Sequence, residues 1–180
     1  MSRLVPTALL AACGTALLAG ALATPATAAP ARAASTSVSA SAGTATVAVA
    51  KLSQSQAAAK LRAAGITWSS SGNCTNRNNA HCTSFEQINA STVNGIITFK
   101  RASGCAVTIT GGTETGHSSG AKSHWNGYKV DINPTSCVTD YIKRSFKYIG
   151  KRGDGAAMYQ SSAGNVYARE SSHWDITYQA

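Results

Sequence analysis

Apolar positions change period several times between Lys51 and Tyr178, and each change predicts an element. Leu52, Ala58, Leu61 and Ala64 put an apolar stripe on one face of a helix over Lys51–Ala64, with Gly65 as its C-cap. Ser69–Cys82 is polar throughout and reads as a loop. Val93–Phe99 fits helix or strand, and periodicity does not decide. Ala106–Thr110 (AVTIT) predicts a short buried strand, and the Gly/Ser/Thr-rich Gly111–Lys122 a loop. Lys129–Ile132 (KVDI) predicts a second strand. Val138, Ile142, Phe146 and Ile149 predict a helix over Ser136–Ile149, with Ser136 as N-cap and Gly150 as stop. Ala157–Gln160 and Val166–Arg169 flank a Ser-Ser-Ala-Gly-Asn turn and predict a hairpin, and Trp174–Tyr178 a last strand. No segment repeats. The order predicts an α+β fold, a small and mainly antiparallel sheet with flanking helices.

The region before Lys51 has no such pattern. Met1–Ala29 has one charge at Arg3, an apolar run over Leu4–Leu22 and the small-residue sequence Ala26-Thr27-Ala28, which predicts a signal peptide cleaved near Ala28. Leu10-Ala11-Ala12-Cys13 imitates a lipobox, but apolar sequence continues well past the cysteine. The run is Ala/Gly-rich with no basic stop after it, so no stable membrane span is expected. Residues 30–50 are Ala/Ser/Thr-rich without an aromatic residue and read as a linker or propeptide. The folded domain is expected over 51–180, secreted and monomeric.

Four cysteines then remain: Cys74, Cys82, Cys105 and Cys137. An even number in an exported chain predicts two disulfides among three possible pairings. Cys74–Cys82 with Cys105–Cys137 is favoured, because the polar loop NCTNRNNAHC closes on itself. A zinc knuckle built with His81 lacks the C-x-x-C spacing.

Composition narrows the chemistry. The chain has 180 residues, 43% hydrophobic and 13% charged, enough for one domain and too apolar for a disordered polyelectrolyte. Its net charge of +9 suits anionic wall polymers, while the absence of an aromatic-interleaved basic motif argues against nucleic acid. With 7 acids and 4 histidines, each can be weighed singly. They concentrate in Ser123–Asp131 (SHWNGYKVD) and Glu170–Asp175 (ESSHWD). A catalytic zinc takes three ligands from imidazole and carboxylate and leaves one position open. His124 and Asp131 can converge across a Gly-containing turn, with Asp131 on a strand. His173 can join from a neighbouring strand, and Glu170, three residues earlier, can serve as proton acceptor.

Ser-His-x-x-Gly-x-x-x-Asp followed by Glu-x-x-His-Trp resembles the zinc D-alanyl-D-alanine carboxypeptidase family. That group includes vancomycin-resistance D-Ala-D-Ala dipeptidases, phage L-alanyl-D-glutamate endolysins and the amino-terminal domain of hedgehog. The resemblance covers roughly residues 85–178 and includes Val107–Gly112 as the strand and turn before the first ligand. It implies Zn²⁺ on His124, Asp131 and His173, Glu170 as catalytic base, and a hedgehog/DD-peptidase-like fold. Two departures stand out. Gly111–His117 (GGTETGH) lacks the arginine that stabilises the oxyanion in many members, and Lys129 replaces a usual alanine. His117, Lys122 or Lys129 can take the arginine's part.

The same residues have plainer readings. Glu114, His117, Lys129 and Trp125 are candidate substrate-binding groups, but Glu114 also suits a turn, His117 a solvated loop and Trp125 core packing. Asp175 either orients a ligand imidazole or ends a strand. The expectation is a secreted zinc metallopeptidase acting on peptidoglycan stem peptides or similar short peptides. The alternative is a non-catalytic secreted zinc module binding wall or protein partners.

Overall fold

The computed structural model describes residues 48–179. The expected signal peptide, Cys13 and linker residues 30–47 lie outside the described residues.

Strand β1 (Lys51–Leu52) leads into helix α1 (Gln54–Ala63). Ser53 starts the helix as a capping box: its hydroxyl accepts from Gln56 N while the Gln56 side chain accepts from Ser53 N. The helix buries Ala57, Ala58 and Leu61, close to the stripe expected from sequence. Strands β2 (Thr67–Trp68) and β3 (Ile88–Asn89) flank the polar loop. Helix α2 (Ala90–Ser103) resolves the ambiguous segment. Thr92, Val93, Ile96 and Phe99 are buried at helical spacing, and Gly104 closes the helix at φ +67°.

Strands β4 (Thr108–Gly111) and β5 (Lys129–Ile132) precede helix α3 (Ser136–Ser145). The N-cap is Thr135, whose side chain accepts from Val138 N, rather than Ser136. The helix also stops earlier than its apolar spacing predicts. Phe146 is already extended, and Lys147–Lys151 form strand β6. Aromatic and β-branched residues there gain more from cross-strand pairing, with the Tyr148 and Tyr159 rings 5.5 Å apart. Gly150 therefore lies inside a strand, not at a helix end. The expected hairpin is present as β7 (Ala157–Gln160) and β8 (Val166–Arg169), and β9 (Trp174–Thr177) is the last described strand.

Seven strands form one sheet in the order β2-β4-β5-β9-β8-β7-β6. Only β2 and β4 run parallel; the other pairings are antiparallel. The α+β class with a mainly antiparallel sheet is thus observed. Disulfides link Cys74 to Cys82 and Cys105 to Cys137, the favoured pairing. They suit an oxidising compartment, and no described helix is long and apolar enough to cross a membrane.

Strand alternation sorts the sheet into two faces. Val130, Ile132, Tyr167, Trp174 and Ile176 join Val93, Ile96, Phe99, Val138 and Ile142 in one apolar core. Helix α2 sits so close that a side chain at Gly95 would meet the Tyr178 ring. The opposite face carries Lys129 and Asp131 from β5 and Asp175 from β9. There Asp131 pairs directly with Asp175.

Candidate metal centre

The loop between β4 and β5 forms one wall of this polar face, and backbone contacts fix it. Thr113 N donates to Ser84 O at 2.7 Å, and Thr115 N to Arg77 O at 2.8 Å. The buried Glu114 carboxylate accepts from Ser84 N at 2.7 Å and Gly112 N at 2.9 Å. Gly127 turns the chain at φ +78°. A Cβ there would lie 2.6 Å from Gln87 O, so the turn needs glycine. It returns the chain to β5 two residues later, which brings His124 over Asp131.

Three imidazoles converge on the Asp131 carboxylate. His124 Nε2 lies 3.3 Å and His173 Nε2 3.4 Å from the same oxygen, Oδ1. His117 Nδ1 lies 3.7 Å from the other oxygen, Oδ2. Each ring is anchored through its second nitrogen. His124 Nδ1 bonds the Gly112 carbonyl at 2.7 Å, His173 Nδ1 the Ser172 hydroxyl at 2.9 Å, and His117 Nε2 the Glu114 carboxylate at 2.9 Å. Such outer bonds orient metal-ligating histidines and select the free nitrogen. The His117 and His124 rings stack at 3.8 Å.

Asp131 is 5% exposed and its Oδ1 has no hydrogen-bond partner. The two nitrogens nearest to it stand at ion-pair separation without hydrogen-bond alignment. A buried carboxylate oxygen without a donor is costly, and a cation among these atoms removes the cost. Ligands around a tetrahedral zinc stand about 3.3–3.6 Å from one another, close to both Asp131 separations. His117, His124 and Asp131 therefore fit a metal ion. Two overlapping sets share His124 and Asp131. His117 completes the one whose three donor atoms all lie within 4.8 Å of one another; His173 lies outside that cluster and is the alternative third donor through its 3.4 Å approach to Asp131 Oδ1.

Charge on the site is tightly coupled. Burial opposes ionisation of Asp131, but His124, His173 and His117 outweigh it and hold its carboxyl below the usual range. Burial also opposes charge on His124, yet Asp131, Asp175 and the Gly112 carbonyl raise its pKa overall.

The site residues expected from sequence mostly meet here. Asp131 lies on β5, as expected. His173 does not sit on a strand: it closes the tight turn from Glu170 to β9, in which Glu170 N donates to His173 O at 3.0 Å. That turn brings a Glu170 oxygen within 3.3 Å of His173 Nε2. Lys129 Nζ binds Asp175 Oδ2 at 2.7 Å, which makes it a partner for the second carboxylate. Lys122 bonds the Gln179 side chain in an exposed position. Glu114 holds His117 as well as its own turn, and Trp125 is an exposed wall residue, not core.

Arg152 and Asp154 were not anticipated. They lie in the turn between β6 and β7 and line the same cavity of about 440 Å³ as His117, His124 and Glu170. Arg152 binds Asp175 at 2.8 Å, Asp154 at 2.7 Å, and Glu170. The Arg152 guanidinium, with the Ala156 amide, holds the Asp154 carboxyl down at about 2. The sequence signal was Arg-Gly-Asp-Gly at the open end of the hairpin, where Ala157 pairs with Arg169 beside Glu170.

No family model, curated protein or solved structure matches this chain.

Proposed function

We propose that the chain is a secreted zinc metallopeptidase of the D-alanyl-D-alanine carboxypeptidase type, cleaving peptidoglycan stem peptides or similar short peptides. The observation that carries this reading is the approach of His124 and His173 to one buried, unpartnered oxygen of Asp131, with Glu170 3.3 Å from His173. His124, Asp131 and His173 hold the zinc in this proposal. When bound, zinc polarises a carbonyl and acidifies a water. Glu170, open to the cavity, accepts a proton on the substrate side and returns it to the departing amine. Gly112 and Ser172 keep the imidazoles in register. Arg152 and His117, both on the cavity wall, present positive or hydrogen-bonding edges where the scissile carbonyl oxygen gains charge. Arg152 answers for the arginine missing between Gly111 and His117. The basic balance of the chain favours residence at an anionic wall.

Replacing Glu170 with alanine tests the reading. The variant should retain about one zinc per chain and lose hydrolysis of purified stem peptides, followed by the appearance of new amino termini. Full activity in that variant sinks the base assignment.

One contact favours a second reading, a non-catalytic zinc module. Arg152 already occupies one oxygen of Glu170, which ties that oxygen to the wall rather than to a substrate proton. Zinc binding without peptide cleavage by the wild-type chain would establish it.

A further inference from the structure

We propose that Trp125 and the hydroxyl-lined pocket beside it form a subsite for a pyranose ring, so that the ligand of this cleft carries a sugar next to its peptide. Trp125 is 45% exposed, whereas Trp174 is buried and Trp68 half-buried. Exposed as it is, the indole is held rigidly. The Arg77 guanidinium lies over one face, 3.8 Å from the ring centroid, and donates to the Trp125 and Thr113 carbonyls. Arg77 itself comes from the loop closed by Cys74–Cys82. A covalently closed loop thus braces an aromatic surface whose remaining area faces solvent and a cavity of about 270 Å³. Pre-immobilised aromatic area costs little entropy on binding, which is what a ligand platform requires.

The cavity lining selects the ligand. Ser118 and Ser119 supply hydroxyls and Asn126 its amide oxygen beside the indole, the Asn126 NH2 being held by the Gly120 and Ala121 carbonyls. Its carboxylate, Glu114, is already bound to His117 and to two backbone amides, so a cationic ligand meets no free counter-charge. An apolar ring face bordered by neutral hydrogen-bonding groups matches a pyranose, which has C–H groups on its faces and hydroxyls at its edge. The pocket joins the metal cleft through Gly116, His117 and Ser118, which line both. A sugar on Trp125 therefore leaves its attached peptide directed toward His124. This deepens the proposed function and rests on it for the peptide half; sugar binding itself does not depend on it.

The test is titration of the protein with a trimer of N-acetylglucosamine, read by tryptophan fluorescence and calorimetry. The expected result is saturable binding, at least about tenfold weaker in Trp125→Ala and largely kept in Trp125→Phe. Arg77→Met, which loosens the indole, should weaken binding without abolishing it. Circular dichroism of each variant separates loss of fold from loss of the platform. Absence of saturable binding overturns the inference, as does equal binding by folded Trp125→Ala. Displacement of the sugar from Trp125 by a sugar-free stem peptide would assign the pocket to peptide and overturn it too. Hydrolysis of the free stem peptide is measured in parallel. Cleavage without sugar binding removes only the subsite, and sugar binding without cleavage removes only the peptidase reading.

Discussion

Asp131 and Asp175 face each other across neighbouring strands, and each keeps its Oδ1 buried without a hydrogen-bond donor. Like charges directly opposite on a sheet repel. Lys129 and Arg152 neutralise Asp175 through its other oxygen, at 2.7 and 2.8 Å. Asp131 has imidazoles only. The residual need for positive charge thus falls on the Asp131 side, next to His124.

Which of the two donor sets holds the metal follows from single substitutions. His173→Ala should lose zinc, while His117→Ala should retain it. Elemental analysis after dialysis reads both directly. Asp175→Asn removes a negative charge whose Oδ1 lies 3.8 Å from His124 Nε2 without removing a donor, so zinc affinity should fall. Loss of zinc in His117→Ala with retention in His173→Ala would transfer the site to the His117 set.

Metal binding displaces protons from the imidazoles, so zinc should leave as pH falls. Competition with a chelating dye between neutral and mildly acid pH tests this. Affinity should drop as the solution is acidified, and affinity independent of pH would contradict imidazole ligation.

Glu114 gives an independent pH signal. Burial opposes its ionisation, but His117 and the amides of Ser84 and Gly112 outweigh burial and lower its pKa from 4.5. A depressed folded value means the stabilisation is complete above about 4.5 and is lost as pH falls through the folded pKa. Glu114→Gln should therefore destabilise by about 1–3 kcal/mol at neutral pH. The gap to wild type should shrink below pH about 4.5, read from unfolding midpoints.

Much of the fold was legible because several segments carry one dominant period. The hairpin of β7 and β8 was readable to the residue, since alternation and turn chemistry agree there. Helix α3 was overextended because Phe146 and Ile149 satisfy helical spacing while packing as strand residues; only the presence of β7 decides between them. His124, Asp131, Glu170 and His173 were visible as two short motifs. Arg152 was not, because its three carboxylate partners come from its own turn, the Glu170 turn and β9. That grouping exists only once strand order is known. Nor could spacing show that His117 stacks on His124.

The disulfides should differ in what they support. Cys105–Cys137 spans 32 residues and Cys74–Cys82 spans 8. Loop entropy predicts losses of about 3.5–4 and about 2.5 kcal/mol when each pair is replaced by alanine. Denaturant midpoints test the order. The shorter bridge, however, carries Arg77 to Trp125 and Thr115, so its loss should also disturb the site wall.

Arg152 offers the sharpest separation of charge from geometry. Its guanidinium reaches Asp175, Asp154 and Glu170 at once, a span that needs the planar fork. Lysine keeps the charge but concentrates it at one point. Arg152→Lys should therefore retain the fold and zinc while lowering kcat/KM by about tenfold or more, because Glu170 loses its fixed position. Arg152→Met removes the charge as well. It leaves Asp175 with Lys129 alone, so zinc affinity and thermal stability should both change along with activity. If lysine restores full activity, Arg152 supplies charge only, and the position of Glu170 is set by its own turn through the Glu170 N–His173 O bond.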